Sequence, residues 1–343
     1  MIEKFTISRD DSIYEAFPDV VLTPTGRLLC IFTECTHHRD RSNSRLMLAE
    51  SVDRGRTWTP KRALTRVTDG LPYWNCGRLS TLRDGRLVAV ADLVHGHGET
   101  GSRIFLIFSS DDGRTWSEPV ETPARGIVPD KLLELASGRW ILSCHQKDPE
   151  TGYLAQRLWY SDDHGSIWSD EAVVARKEGL NLCETSILEI GDTLVAFLRE
   201  NSGQGWDAYK TLSTDRGETW GEPIRFPLPA CHRPVAGFLN DGRILITHRF
   251  MQGGNGWVGW WTQNLFAGLT DRESALAPSR EKARTRIMPI DFDRSSESDT
   301  GYSGWVQFED GEIYVVNYLL DDAPTGQIRG YAFRPEDLLL PVP

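Results

Sequence analysis

The chain has 343 residues, of which 39% are hydrophobic, and its formal net charge is −11. This hydrophobic fraction is sufficient for a packed core, while the acidic balance argues against binding to nucleic acid or to an anionic membrane. No segment is long and apolar enough to span a membrane, and the opening MIEKFTISRDDS lacks the apolar run of a signal peptide. We therefore expect a cytoplasmic globular protein, with its six cysteines reduced because none forms a CxxC pair.

Two hydrophobic runs joined by a glycine turn recur six times, which predicts six β-hairpins. In chain order they are DVVLTPTGRLLCIF, RLSTLRDGRLVAVA, KLLELASGRWILSC, TSILEIGDTLVAFL, PVAGFLNDGRILIT and GWVQFEDGEIYVVN. Six hairpins, each with an outer pair of strands, give an all-β, six-bladed β-propeller of four-stranded antiparallel blades. We expect the N-terminal KFTISRD to pair with QIRGYAF near the C terminus, so that residues 1–343 form a single propeller domain.

A second repeat, Ser-x-Asp-x-Gly-x-(Thr/Ile)-Trp, follows each of the first four hairpins. Its copies are SVDRGRTW, SSDDGRTW, SDDHGSIW and STDRGETW, and their tryptophans recur at intervals of 58, 52 and 52 residues. A period of about fifty residues is typical of propeller blades. In each copy the Asp can accept hydrogen bonds from the turn's own amides, the Gly supplies a left-handed position, and the Trp packs on the sheet. We interpret the repeat as a folding device.

Both kinds of turn are predicted at one end of each blade, so the starts of the innermost strands and the ends of the second strands meet at the opposite face. Ionisable or phenolic side chains occupy these positions around the axis: Asp19, Arg78, Asp130, Lys131, Glu184, Arg233 and Tyr302 at strand starts, and His145, Arg199 and Arg249 at strand ends. A ring of alternating charges exceeds what hydration of a channel requires. We therefore predict a functional site on this face.

The repeated turns resemble the Asp boxes of the sialidase superfamily, and the resemblance covers essentially the whole chain. ETSILEIGDTLVAFLR resembles the sialidase blade that opens with a Glu and closes with an Arg, and GYSGWVQFEDGEIYVVNY resembles the blade that carries the nucleophilic Tyr-Ser. The resemblance implies a retaining glycosidase without cofactor or metal, acting on a glycan. It also implies that Tyr302 is the nucleophile, Glu184 its base, and Arg199 a substrate ligand.

Two arginines of the sialidase carboxylate clamp are not evident in this chain. Ala16 stands where the first would fall, and GNGWVGWWTQNLFAG contains none. Other side chains of the ring are candidate substrate ligands in their place, namely Arg78, Arg233, Arg249, Asp19, Asp130, Lys131 and His145. We therefore expect the terminal sugar to differ from ordinary sialic acid and to be acidic, for example a uronic acid.

The acid that protonates the leaving group is expected in TECTHHRDRSNS, as Asp40 or as His38. The histidines of this face leave a second alternative, a polysaccharide lyase in which His and Tyr catalyse β-elimination on a uronate glycan. A third alternative is a carbohydrate-binding propeller without catalysis. The spacing of His95 and His97 is weak evidence for a metal site, and we predict none.

Overall fold

The computed structural model describes residues 1–96, 101–252 and 262–338. Its strands form six antiparallel sheets of four strands each, so the predicted six-bladed propeller is confirmed. The first strand is β1 (Glu3–Ser8). Blade 1 contains β2 (Tyr14–Leu22), β3 (Leu28–Cys35), β4 (Arg45–Ser51) and β5 (Arg62–Ala63). Blade 2 contains β6 (Tyr73–Thr81), β7 (Leu87–Val94), β8 (Arg103–Ser109) and β9 (Val120–Arg125). Blade 3 contains β10 (Leu133–Glu134), β11 (Trp140–Lys147), β12 (Leu154–Ser161) and β13 (Ala172–Ala175).

Blades 4 to 6 continue the same order. Blade 4 contains β14 (Leu182–Ile190), β15 (Thr193–Glu200), β16 (Asp207–Ser213) and β17 (Ile224–Pro229). Blade 5 contains β18 (Cys231–Phe238), β19 (Ile244–Met251), β20 (Gln263–Thr270) and β21 (Arg286–Phe292), with the short helix α1 (Arg272–Leu276) and a 3₁₀ turn (Arg280–Lys282) between its last two strands. Blade 6 contains β22 (Gly304–Gln307), β23 (Ile313–Leu319), β24 (Gln327–Phe333) and β1, and a 3₁₀ turn (Pro335–Leu338) follows it.

Blade 6 is built from both parts of the chain, as the sequence predicts. The N-terminal β1 runs antiparallel to β24, with Glu3 opposite Ala332 and Phe5 opposite Gly330. This pairing ties the beginning of the chain to the last blade and closes the ring. Among the described residues, no helix is long and apolar enough to cross a membrane.

In blades 1 to 4 the two kinds of turn lie side by side at one end of the blade. In blade 1, Leu28 pairs with Ser51, so the turn before β3 lies beside the Asp box after β4. Inside that box, the Asp53 carboxylate accepts hydrogen bonds from Ser51 Oγ at 2.8 Å and from the Thr57 amide at 2.9 Å. Trp58 Nε1 donates to the Gly55 carbonyl at 3.1 Å. The box therefore secures its own backbone, which confirms the predicted folding device.

Apolar side chains from adjacent blades interlock to form the core. Leu29 and Ile31 of blade 1, for example, pack with Leu79 and Ala89 of blade 2. Full burial of such an aliphatic side chain contributes about 1.5–3 kcal/mol, so the layers between blades stabilise the ring. All six cysteines are buried and unbridged.

Bulges in the innermost strands direct side chains towards the central axis. In four blades the innermost strand has extra residues relative to its partner strand. These bulges lie between Ala16 and Asp19 in β2, between Trp74 and Gly77 in β6, between Cys183 and Ser186 in β14, and between His232 and Val235 in β18. Within these bulges, Phe17, Glu184 and Arg233 adopt φ angles of 56°, 47° and 51°. Left-handed backbone at non-glycine residues is strained and is common at functional sites. The bulges thus aim these side chains inwards.

Candidate active site

A cavity of about 540 Å³ opens at the face opposite the Asp boxes. All six blades contribute to its wall, through residues that include Phe17, Asn75, His145, Glu184, Arg249 and Tyr302. None of the described residues that line it belongs to an Asp box. The cavity therefore opens at the face for which the sequence predicts a site.

Tyr302, Glu184 and Arg199 form one hydrogen-bonded cluster in this cavity. The Tyr302 hydroxyl donates to Glu184 Oε1. Arg199 Nη1 lies 2.8 Å from each oxygen of the Glu184 carboxylate and 3.2 Å from the Tyr302 hydroxyl. All three residues are buried. The structure thus brings together the three residues that the two sialidase-like segments singled out.

The cluster holds Glu184 ionised and Tyr302 protonated. Burial alone raises the pKa of the Glu184 carboxyl, but the positive charge and the hydrogen bonds of Arg199 outweigh it and bring this pKa to about 2. Burial and the neighbouring Glu184 charge raise the pKa of the Tyr302 phenol. At neutral pH a phenol therefore faces a carboxylate that can accept its proton, which is the arrangement an activated nucleophile requires.

A second cluster, centred on Asp299, lines the other part of the wall. His38 Nδ1 lies 2.5 Å from Asp299 Oδ2, the Tyr318 hydroxyl donates to Asp299 Oδ1 at 2.6 Å, and the Tyr14 hydroxyl donates to Oδ2. Burial raises the pKa of Asp299, but the hydrogen bond and charge of His38 outweigh it and hold this pKa at about 2. Asp299 is therefore an ionised carboxylate that orients the His38 ring.

The two candidates for the acid lie in different places. The His38 side chain is 39% exposed and lines the cavity. Asp40 does not line it, because its carboxylate turns back to accept hydrogen bonds from the amide and the hydroxyl of Ser42, at 3.1 and 2.8 Å. The geometry therefore favours His38 over Asp40 for contact with a ligand.

Arg249 and Arg41 bring further positive charge to the wall. The Arg249 guanidinium carbon lies 5.0 Å from the centre of the Tyr302 ring, and Arg249 Nη1 donates to Gln263 at 3.1 Å. Arg41 lies between the rings of Phe17 and Tyr73, with its guanidinium carbon 4.8 and 5.4 Å from their centres. Neither arginine forms an ion pair with a carboxylate of the described chain.

His145 is the remaining sequence-predicted residue on the wall. It is buried, and burial lowers the pKa of its imidazole to about 4. The ring is therefore neutral at physiological pH. His145 thus presents a polar but uncharged side chain to the cavity.

The other five predicted residues come together outside the cavity, around the central axis. Arg78 of blade 2 donates to the Ser303 carbonyl of blade 6 at 3.0 Å, and Arg233 of blade 5 donates to the Pro129 carbonyl of blade 3 at 2.7 Å. Because each arginine reaches past a neighbouring blade, both side chains lie in the central channel. Lys131 Nζ lies 3.1 Å from Asp19 Oδ1, and the Asp130 carboxylate accepts from the Ile187 amide at 3.0 Å.

The sequence reasoning missed Asp299, Tyr14 and Arg41. Arg41 stands three residues after His38, within the segment TECTHHRDRSNS, whereas Asp299 lies two residues before the segment GYSGWVQFEDGEIYVVNY. Their contacts depend on how loops of separate blades meet. In the described ranges no group of three or more His, Cys, Asp or Glu side chains is suited to a metal ion, and His97 lies outside those ranges.

Comparison with known proteins assigns the chain to a family. The family described as the BNR repeat-like domain matches residues 67–315. A sialidase from Paraclostridium sordellii is 22% identical over 212 residues, which are 52% of this chain and 52% of that protein. The chain matches about half or less of the length of its curated relatives.

Solved structures share the fold over nearly the whole chain. A protein of unknown function from Dyadobacter fermentans superposes with a TM-score of 0.79 at 20% identity, covering 96% of this chain and 98% of that one. A Hadza microbial sialidase superposes with a TM-score of 0.71 at 18% identity, covering 95% and 66%. At such identities the likeness shows the fold alone. From the family match and the six-bladed architecture, the chain belongs to the BNR repeat-like family of the sialidase superfamily.

Proposed function

We propose that this protein is a retaining glycosidase that forms a covalent intermediate on Tyr302. The observation that carries the proposal is the hydrogen bond from the Tyr302 hydroxyl to the buried, ionised Glu184 carboxylate inside the cavity. A tyrosine is a weak nucleophile at neutral pH and needs an adjacent proton acceptor. The curated relatives, which are sialidases, support the same class of reaction.

In the first step Tyr302 attacks the anomeric carbon while Glu184 accepts the phenolic proton. The glycosidic bond breaks, and a glycosyl–tyrosine bond forms. Arg199 stabilises the arrangement, because its Nη1 faces both Glu184 and the Tyr302 oxygen. In the second step water replaces the tyrosine at the anomeric carbon, and Glu184 returns the proton to Tyr302. Two displacements retain the anomeric configuration.

His38 is our candidate for the acid that protonates the leaving oxygen and then activates the incoming water. Its Nδ1 is held by Asp299, so Nε2 is the nitrogen left for the substrate. Asp299 does not touch the reacting atoms in this scheme and acts as a positioning residue. A carboxylate that fixes an imidazole in this way selects both its tautomer and its direction.

We further propose that the terminal sugar carries a carboxylate. The protein has a net charge of −11, yet Arg41 and Arg249 line the cavity without an acidic partner in the described chain. A buried guanidinium without a counter-charge is costly, and a carboxylate matches its fork of donors. Ala16, by contrast, is buried and apolar at the position where a sialidase clamp arginine is expected. We therefore favour a uronic acid over sialic acid.

The lyase remains a second candidate because a neutral His145 lines the same cavity as Tyr302. A neutral imidazole can accept the proton next to a uronate carboxylate, and a protonated tyrosine can donate one to the leaving oxygen. This reaction cleaves the glycan without water and leaves an unsaturated uronate. The two reactions therefore give different products.

One panel experiment tests these proposals. The protein is incubated with aryl glycosides in matched acidic and neutral pairs (glucuronide and glucoside, galacturonide and galactoside), with an aryl sialoside, and with uronate oligosaccharides. Aglycone release and the ultraviolet absorbance of an unsaturated uronate are followed together. We expect aglycone release from an acidic member only, abolished by Tyr302→Phe.

The matched control is Tyr160→Phe, which removes a phenolic hydroxyl at the Asp-box end of β12, away from the cavity. This variant should retain full activity. An increase in the ultraviolet absorbance of an unsaturated uronate would show that the protein is a lyase and not a glycosidase. Binding of a glycan with neither signal would show that the protein binds carbohydrate without catalysis.

A further inference from the structure

Two arginines in the central channel have an unusual set of partners. Arg78 donates from Nη1 to the carbonyls of Pro18 and Ser303, at 3.2 and 3.0 Å, and Arg233 donates from Nη2 to the carbonyl of Pro129 at 2.7 Å. Each arginine is only 1% exposed. All their hydrogen-bond partners in the described chain are thus backbone carbonyls, which carry no full negative charge.

Four of their nitrogens have no partner at all among the described residues. These are Nε and Nη2 of Arg78 and Nε and Nη1 of Arg233. A guanidinium offers five N–H donors and stays charged in proteins, so these groups cannot be satisfied by losing a proton. Leaving buried charged donors unpaired is strongly unfavourable.

The carboxylates of the channel do not balance the positive charges of Arg78 and Arg233. Asp19 lies 3.1 Å from Lys131 Nζ and 3.8 Å from Arg78, and its other oxygen accepts from the Leu79 amide at 2.9 Å. Arg233 forms no ion pair in the described chain. Burial raises the pKa of Asp130 despite the nearby charge of Arg233, which weakens the second carboxylate as a counter-charge.

The positive charges of the channel also act on each other. Burial and then the charge of Arg233 lower the pKa of Arg78. Arg78, Arg233 and Lys131 are three cations against the two carboxylates Asp19 and Asp130. Among these five side chains, one positive charge is therefore in excess.

We propose that Arg78 and Arg233 bind a small monovalent inorganic anion, such as chloride, in the central channel beside the start of β22. The anion accepts the N–H groups that face no protein acceptor and neutralises the excess charge. Water could accept the same hydrogen bonds but would leave the charge unbalanced. The site is separate from the proposed glycosidase centre, because neither arginine lines the cavity. It ties blades 2 and 5 to one central ligand.

A crystal grown in bromide tests the site directly. Bromide replaces chloride and scatters anomalously, so an anomalous difference map shows where it binds. We expect an anomalous peak within hydrogen-bonding distance of both guanidinium groups. Ordered water between Arg78 and Arg233, with bromide only elsewhere, would overturn the proposal. This test uses the unaltered protein.

A solution test measures stability against chloride at constant ionic strength, with gluconate as the replacement ion. The melting temperature should rise steadily with each tenfold increase in chloride, as binding to the folded state requires. Arg233→Met should abolish this dependence, while Arg54→Met, which removes an exposed arginine far from the channel, should retain it. If Arg233→Met does not fold, Arg78→Lys should fold with a weaker chloride dependence. A chloride-independent melting temperature of the unaltered protein would contradict the proposal.

Discussion

The Tyr302 hydroxyl donates a hydrogen bond to the carboxylate of Glu184, which lies 118 residues earlier in the chain. Glu184 belongs to β14 of blade 4, and Tyr302 precedes β22 of blade 6. Blade 6 is complete only when β1 pairs with β24. The pair therefore forms only in the closed ring, and the proposed chemistry depends on correct closure of the propeller.

Removal of either partner should abolish activity, but the two variants should differ in stability. Glu184→Gln removes the proton acceptor and should lower kcat/KM by about 10²–10⁴-fold. It also leaves Arg199 without its buried partner, so the free energy of unfolding should fall by about 3–5 kcal/mol. Tyr302→Phe keeps the Arg199–Glu184 ion pair and should cost at most about 1.5 kcal/mol. Urea unfolding and initial rates measure both quantities. Equal stability loss in the two variants would argue against the ion pair.

His38→Ala should show a leaving-group dependence. Without an acid, kcat/KM for an alkyl glycoside should fall by about 10²–10⁴-fold, whereas kcat/KM for a dinitrophenyl glycoside, whose leaving group needs no protonation, should change little. The kcat for the dinitrophenyl glycoside should still fall, because His38 also activates the water of the second step. Asp299→Asn should show the same pattern more weakly, because it disturbs only the orientation of the ring. The measurement is the rate of each variant on the alkyl and on the dinitrophenyl glycoside. The same pattern in Asp40→Asn, with none in His38→Ala, would transfer the role to Asp40.

Arg249→Met should reduce the preference for an acidic sugar. If Arg249 contacts the substrate carboxylate, the variant should lose about 1.5–3 kcal/mol of binding to the acidic member of a matched pair and little to the neutral member. The measurement is kcat/KM on both members. Arg243→Met, which removes an exposed arginine paired with Asp241, is the control and should leave both values unchanged. Equal losses on both members would show that Arg249 acts through Tyr302 instead.

The Asp boxes should make stability sensitive to acid. Hydrogen bonds from Thr57 to Asp53 and from Thr115 to Asp111 lower the pKa of each carboxyl from 3.8 to about 2. A carboxyl whose pKa is lower in the folded state stabilises the fold above its unfolded pKa, and this contribution disappears as the pH falls through the folded value. Stability should therefore decrease between about pH 4 and pH 2. Asp111→Asn should flatten that slope in urea unfolding experiments, and an unchanged slope would refute this origin.

Gly304 should tolerate no side chain. A Cβ atom at this position would lie 2.0 Å from Asp19 Oδ1 and 2.8 Å from its Cα, so Gly304→Ala must displace the backbone of blade 1. We expect a loss of about 1–3 kcal/mol in the free energy of unfolding. Gly221→Ala is the matched control, because its Cβ would meet nothing closer than 3.6 Å. Equal effects of the two substitutions would contradict this close packing.

The blades could be predicted from the sequence because their signals are local. Each Asp box satisfies its own backbone within eight residues, and each hairpin repeats the same run of hydrophobic residues. Tyr302, Glu184 and Arg199 were also predictable, because Glu184 and Arg199 stand at defined positions of strands and Tyr302 comes just before one. Strand geometry then fixes which face these side chains reach.

The Asp299–His38 contact and the position of Arg41 could not be predicted in this way. Asp299 and His38 lie 261 residues apart on loops of different blades, and their contact depends on how those loops fold across the cavity. For the same reason the sequence did not show that Arg78 and Arg233 lie outside the cavity. Equivalent positions in two strands do not determine how far along the axis a long side chain ends. Bulges such as that at Glu184 alter this depth further.

The central claim is that Tyr302 forms a bond to the sugar. The most direct test uses a fluorinated, activated form of whichever sugar the panel identifies, because such a sugar slows release of a covalent intermediate. Intact mass measurement followed by peptide mapping should find one glycosyl group per chain, attached to Tyr302. A label on another residue, or turnover with inversion of the anomeric configuration and no label, would contradict the account.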